Sequence, residues 1–220
     1  PQLWAWGKWR IKSFRKSVSR LLALLPFEKK YFTDNNVPVV HLGHPLIDIY
    51  NRNSLAEARA HREMKLKSGG IFKVGFFPGS RKQEIELLLP VFSSVIDRMK
   101  LAHPEIQFEF IFSCSSKRFK DLFKEVESTS SVSLSCISEI TDKIDYAIVC
   151  SGTASLEVAL TGTGHSLAYK TSSFNYWLAS KLVSSNFVGL ANIITDNLMV
   201  KEFIQDNAQP DMVISEFTSW

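Results

Sequence analysis

Along residues 71–190, short apolar runs rich in β-branched and aromatic residues alternate with stretches whose apolar positions recur every three or four residues. Phe72–Phe77, Ile106–Phe112, Val132–Cys136, Asp145–Cys150 and Ser166–Lys170 predict strands, and Gln83–Met99, Lys117–Val126 and Ser155–Leu160 predict the helices between them. In the first of these helices Ile85, Leu88, Leu89, Phe92, Val95 and Ile96 share one face, and Pro90 predicts a kink. Alternating β and α with apolar strands is the pattern of a parallel sheet covered on both faces. Beyond it, Phe174–Val183 predicts a helix, Phe187–Leu190 a last short strand, and Met199–Asn207 a helix before Pro210.

The start of the chain reads differently. Arg10–Ser19 predicts a basic helix with Ile11, Phe14 and Val18 on one side, Arg20–Leu25 a buried strand stopped by Pro26, Phe27–Asp34 a short helix, and Val37–Leu42 a strand ended by Gly43-His44-Pro45. Residues 1–45 thus read as the last βαβ portion of one α/β domain. Residues 46–70 are polar, with a charged helix over Leu55–Lys67 and a Ser68-Gly69-Gly70 close, and read as a connection to a second domain over 71–210. There is no internal repeat and no low-complexity segment.

Composition adds limits. At 45% hydrophobic and 22% charged, the 220 residues are ordinary globular sequence. The longest apolar stretch, Leu21 to Phe27, is far short of the ~20 residues that span a bilayer. Cys114, Cys136 and Cys150 show no CxxC spacing, which fits a reducing, cytoplasmic compartment better than a disulfide framework or a zinc site. His41 and His44 lack a matching acidic or Cys partner, so no metal site is expected. The net charge of +4 is concentrated at one end: residues 1–20 hold six cations and no acid, and the remaining 200 residues carry 20 basic and 22 acidic groups. Trp9 among Lys8, Arg10, Lys12, Arg15 and Lys16 suits a membrane surface, where each cation contributes about 1 kcal/mol near anionic lipid. The plainer alternative is that Trp4 and Trp6 pack inside and the cations solvate one face. Nucleic acid is disfavoured because no other basic stripe exists.

The candidate chemistry lies in the turns after strands. Cys150-Ser151-Gly152-Thr153-Ala154-Ser155-Leu156-Glu157 reads as strand, small-residue turn, helix, a place where backbone N–H groups and the helix dipole favour an anion such as a diphosphate. Glu157, one turn further on, would accept hydrogen bonds from the vicinal hydroxyls of a ribose; the alternative is a surface Glu on a capped helix. Ser80-Arg81, after Phe77-Pro78-Gly79, offers a bidentate phosphate partner, or else a solvated turn. Asn192 shares the same sheet edge if a strand ends at Leu190. No GxxxxGK[ST], GxGxxG or GxSxG is present, which argues against a Walker-type kinase, a dinucleotide dehydrogenase and a serine hydrolase.

Seven segments, in this order and spacing, resemble lipid-A-disaccharide synthases: Pro1-Gln2-Leu3-Trp4-Ala5-Trp6, Leu25-Pro26-Phe27-Glu28, Gly43-His44-Pro45-Leu46, Phe77-Pro78-Gly79-Ser80-Arg81 with Glu84-Ile85-Glu86, Ser151–Glu157, Tyr176-Trp177-Leu178-Ala179 and Val200-Lys201-Glu202-Phe203-Ile204-Gln205. The resemblance implies an α/β, GT-B type fold, here a C-terminal Rossmann-like domain plus the end of the N-terminal one. It implies inverting transfer of 2,3-diacylglucosamine from its UDP conjugate to 2,3-diacylglucosamine 1-phosphate, with no cofactor or metal, on the inner face of the cytoplasmic membrane. The UDP site it implies comprises Ser80, Arg81, Ser151, Gly152, Thr153, Glu157, Asn192 and Gln205. Gly164 and Ala191 stand where that family usually has Pro. A fragment is expected: the family's catalytic carboxylate lies in a region that would precede Pro1, so no catalytic base is named, and residues 211–220 would begin a C-terminal helix. Oligomeric state is left open, a homodimer included. A related GT-B enzyme such as a UDP-N-acetylglucosamine 2-epimerase, or a non-catalytic nucleotide- or membrane-binding module, remains an alternative.

Overall fold

The computed structural model describes residues 3–5, 7–50, 64, 70–135, 137–173, 175–176 and 186–219. The helices expected over 55–67 and 174–183 lie outside these, apart from Met64, Asn175 and Tyr176. A 3-10 turn, Lys8–Arg10, leads into α1 (Ile11–Ser17), followed by β1 (Leu21–Ala23), α2 (Pro26–Asp34), β2 (Val39–His41) and α3 (Leu46–Ile49). β1 and β2 pair in parallel as a two-stranded sheet. Ile11, Phe14 and Val18 pack inward on Leu3, Leu21, Phe32 and Val37, as their spacing predicts. The β1 segment is not a fully buried strand: Leu21, Ala23 and Leu25 are buried while Leu22 and Leu24 are exposed, because the small sheet is covered on one face among the described residues.

This unit has a polar keystone. Glu28, buried in the first turn of α2, accepts from the Trp4 indole N–H (3.0 Å) and from the backbone N–H groups of Leu24 and Leu25 (3.2 and 3.1 Å). Trp4 also meets Phe27 edge to face at 4.8 Å. Trp4 is therefore a packing residue. His41 donates to the Leu24 carbonyl and His44 accepts the Leu46 N–H, both at 3.3 Å.

The larger unit contains β3 (Phe72–Phe77), α4 (Lys82–Ala102), β4 (Phe108–Ser113), β5 (Ser131–Ser133), α5 (Ile137–Thr141), β6 (Tyr146–Cys150), α6 (Thr153–Leu160), β7 (Gly164–Tyr169), α7 (Leu190–Thr195), β8 (Glu202–Ile204) and α8 (Pro210–Ser219). Its six strands are all parallel, in the order β5-β4-β3-β6-β7-β8. Renumbered from β3, that is the order 3-2-1-4-5-6 of doubly wound folds. Alternation along the strands divides the core: Phe72, Val74 and Phe76 face α4 and α8, whereas Phe77, Ala147, Val149 and Leu167 face the side that holds α6. α8 lies on the large sheet, with Phe217 against Phe72, Phe108 and Tyr146 and an Arg98–Asp211 ion pair to α4.

Two further expectations change. The segment 117–126 forms a 3-10 helix over Lys117–Phe123, whose tighter coil buries Phe119 and Phe123. The last strand is β8 and not 187–190, where the chain turns into α7; correspondingly 199–207 is a strand and a 3-10 turn (Gln205–Asn207) in place of a helix. Short apolar runs such as Phe187–Leu190 carry no periodicity that separates strand from helix start.

Candidate functional site

In a sheet of this order the connections leave in opposite directions from the two central strands, and the crevice beyond their carboxyl ends is open. Here those strands are β3 and β6. β3 delivers Gly79-Ser80-Arg81 to the crevice and β6 delivers Ser151-Gly152-Thr153. Both turns rest on glycines with positive φ, +101° at Gly79 and +146° at Gly152. A Cβ on Gly79 would lie 2.7 Å from Glu84 Oε2 and 3.2 Å from Cys150 Sγ, so the two turns come together only because that side chain is missing.

Ser80 and Arg81 are exposed at the mouth. Arg81 Nη1 donates to Glu84 Oε1 at 2.6 Å, one helical turn into α4, while Glu84 itself is buried. The carboxylate holds one corner of the guanidinium fork and leaves the remaining N–H groups directed outward. Ser151 Oγ donates to the Val188 carbonyl at 2.9 Å, which ties the β6 turn to the segment before α7. Gly152 and Thr153 are exposed at the first turn of α6, where unpaired N–H groups and the positive end of the helix dipole suit an anion. Glu157 is half-buried one turn on, and its Oε1 accepts the Tyr50 hydroxyl at 2.7 Å.

The other two expected residues are engaged within the fold. Asn192 is wholly buried on α7. Its Nδ2 donates to the Val200 carbonyl and to Glu202 Oε1, both at 2.7 Å, and its Oδ1 accepts the N–H groups of Met199 and Val200 at 2.8 and 2.9 Å. Gln205 clasps Thr171 with both amide atoms, accepting its N–H at 3.0 Å and donating to its carbonyl at 3.1 Å. Ser80, Arg81, Ser151, Gly152 and Thr153 thus stand in the turns at the carboxyl ends of β3 and β6, with Glu157 one turn into α6, while Asn192 and Gln205 brace the segments beside them.

A family model described as lipid-A-disaccharide synthetase matches residues 1–218. The chain belongs to the lipid-A-disaccharide synthase family. It is similar to the lipid-A-disaccharide synthases of Trichlorobacter lovleyi, 32% identical over 98% of this chain and 56% of the relative. It is similar likewise to those of Saccharophagus degradans, 32% over 97% and 56%, and Wigglesworthia glossinidia brevipalpis, 33% over 98% and 57%. The chain thus spans little more than half the length of these relatives.

In this lipid-A-disaccharide synthase family member three residues that shape the turns were not among the expected site residues, although Glu84 and Glu202 lie in segments that carry the resemblance. Glu84 positions Arg81, and its signal was the i, i+3 spacing of opposite charges at a helix start. Glu202 anchors the start of α7, accepting the N–H groups of Val188 and Gly189 at 2.9 Å each as well as the Asn192 amide. An acid inside the apolar run Val200–Ile204 was its only trace. Tyr50 reaches Glu157 across 107 residues, and nothing local marked it. Among the described residues no helix is long and apolar enough to cross a membrane.

Proposed function

We propose that this chain is the UDP-sugar-binding part of an inverting glycosyltransferase that moves 2,3-diacylglucosamine from its UDP conjugate to 2,3-diacylglucosamine 1-phosphate, forming the lipid A disaccharide phosphate and UDP. Residues 71–210 would hold the nucleotide, residues 1–45 would be the last part of an acceptor-side domain, and 46–70 the connection between them. One observation carries the reading: the two turns flanking the reversal of strand order supply a guanidinium fork and a helix N-terminus, with a carboxylate one turn away. With one corner of the Arg81 fork held by Glu84 and its other N–H groups left for a ligand, that is the complement of a diphosphate followed by a ribose diol. Arg81 and Ser80 take the diphosphate from one side and the Ser151–Thr153 turn from the other, Glu157 takes the ribose hydroxyls, and Asn192 and Gln205 act by fixing the backbone around them.

Calorimetric titration of UDP tests the reading. Arg81→Ala and Glu157→Ala are each expected to weaken binding by roughly 1.5–3 kcal/mol, the range for hydrogen bonds to charged groups. Folded variants that bind UDP as well as the parent would sink it. Comparing the acylated donor with UDP-N-acetylglucosamine separates this reading from an epimerase or another GT-B enzyme.

The surface around α1 extends the same proposal. Lys8, Trp9, Arg10, Lys12, Arg15 and Lys16 are exposed, and among the described residues none of these cations is in an ion pair. With the apolar side of α1 turned inward, the outer face presents cations around a single Trp9, 68% exposed. Such a face fits peripheral contact with anionic lipid on the cytoplasmic side, where the acylated substrates reside.

A further inference from the structure

Tyr50 closes α3, its backbone N–H returning to the Leu46 carbonyl at 3.2 Å. Its phenol enters the space between α5 and α6, facing Glu157, the Ser138 hydroxyl and Asp142. The hydroxyl donates to Glu157 Oε1 at 2.7 Å, and burial, reinforced by that carboxylate, raises the phenol well above its ordinary pKa. It therefore stays a protonated donor at any working pH. A carboxylate offers about four acceptor positions, of which Tyr50 takes one. Among the described residues Glu157 Oε2 has no hydrogen-bond partner, so Tyr50 fixes one oxygen and leaves the other available to a ligand.

We propose that Tyr50 is a positioning residue for the nucleoside side of the site: it orients Glu157 so that Oε2 meets the ribose diol, and thereby couples the segment after residue 45 to nucleotide binding. This deepens the reading of Glu157 as the ribose contact and rests on it. Nothing else on the 46–50 segment reaches the crevice through a hydrogen bond among the described residues. The phenol makes ligand affinity depend on how that segment sits. Glu157 without it would be a half-buried carboxylate free to turn toward solvent.

The test is a double comparison by calorimetry, using UDP and 2′,3′-dideoxy-UDP against the parent chain, Tyr50→Phe, Glu157→Ala and the double variant. Tyr50→Phe keeps the ring that packs and removes only the hydroxyl, and its thermal midpoint and circular dichroism check that it folds. The parent should prefer UDP over the dideoxy analogue. Tyr50→Phe should weaken UDP about 5-fold, the weight of one ordinary net hydrogen bond, leave the dideoxy analogue unchanged, and have no further effect in the Glu157→Ala background, where no acceptor is left to orient. Equal weakening of both ligands, no change in either, or tighter UDP binding by Tyr50→Phe would each overturn the proposal, the last because the phenol would then be competing with the ribose. A parent chain that binds both ligands equally would overturn the ribose role of Glu157 itself, and the positioning role with it.

Discussion

Asn192 Nδ2 donates to Glu202 Oε1 at 2.7 Å, and through this contact a buried amide fixes a carboxylate that in turn holds the N–H groups of Val188 and Gly189. The Val188 carbonyl then receives Ser151 Oγ, so the chain of bonds runs from α7 to the turn after β6. Asn192→Ala would strip partners from two backbone N–H groups, from the Val200 carbonyl and from Glu202, those at Val200 being buried. A stability loss on the order of 3 kcal/mol is expected from unsatisfied buried groups, read by urea denaturation. UDP affinity of the folded fraction should fall less than in Arg81→Ala; the reverse ranking would make Asn192 a direct ligand contact.

Asn192→Asp tests the same contact by pH. It would place a carboxyl against Glu202 Oε1, and two carboxylates so close cannot both ionise without cost, so the pair would retain a proton in the folded state above the ordinary carboxylate pKa. A folded pKa raised over its unfolded value gives stability that is present at low pH and lost as pH rises through the raised value. The variant should therefore gain ground on the parent as pH is lowered from 7 towards 5. Parallel pH–stability curves for the two chains would contradict this.

The turns themselves were legible in the sequence, since a six-residue apolar strand followed by Pro-Gly-Ser-Arg, and another followed by Ser-Gly-Thr, leave little choice of local structure. Phe72–Phe77 and the helix after it follow directly from periodicity. What was not legible depends on contacts between distant residues. Asn192 was placed on the ligand edge because Phe187–Leu190 has strand composition, but Glu202 captures its N–H groups from fourteen and thirteen residues away and starts a helix instead. Tyr50 is invisible for the same reason. Gly79 could be read as a turn residue, yet its closeness to Cys150 requires the pairing of β3 with β6.

That closeness separates two glycine substitutions. Gly152 has φ +146° and ψ −159°, a region that is nearly glycine-only, but open space where a Cβ would go. Gly152→Ala should cost about 1–3 kcal/mol from backbone strain alone. Gly79→Ala carries a comparable backbone cost and also drives a methyl against Glu84 Oε2 and Cys150 Sγ, so it should destabilise more and disturb the Arg81–Glu84 pair. Denaturation midpoints give the first comparison and UDP titration the second. Equal losses would mean that Glu84 gives way without consequence.

Cys150 lies at the end of β6 behind both turns, 1% exposed, and burial together with the nearby Glu84 pushes its thiol up to about 12. A thiol of ordinary pKa, near 8.5, is partly ionised and reactive at pH 8. In the folded chain Cys150 should resist aromatic disulfide reagents at pH 8 and react once urea exposes it, with site-resolved mass spectrometry separating it from Cys114 and Cys136. The raised folded pKa also has a defined sign: its contribution to stability is full below about pH 8.5 and declines as pH climbs towards 12. Prompt native-state labelling of Cys150 would show that the crevice opens to the depth of the sheet.

The cationic face of α1 gives a prediction that depends on lipid charge. Because Ile11, Phe14 and Val18 pack inward, this helix has no apolar stripe to bury in a bilayer, and attraction must come from Lys8, Arg10, Lys12, Arg15 and Lys16, with Trp9 the exposed apolar side chain beside them among the described residues. At about 1 kcal/mol per cation, binding should be strong on vesicles with anionic lipid, weak on zwitterionic ones, and reduced steeply by raising salt, as screening shortens the reach of the surface potential. Replacing the five cations with Gln should abolish vesicle co-sedimentation while leaving UDP titration unchanged, since among the described residues none of them is bonded to a residue of the β3 or β6 turn. Trp9→Ala should cost less than the charge change. Binding that persists in high salt or on zwitterionic vesicles would mean that an apolar surface carries it, and the exposed side chains of Leu22, Leu24 and Leu42 would then be the next to replace.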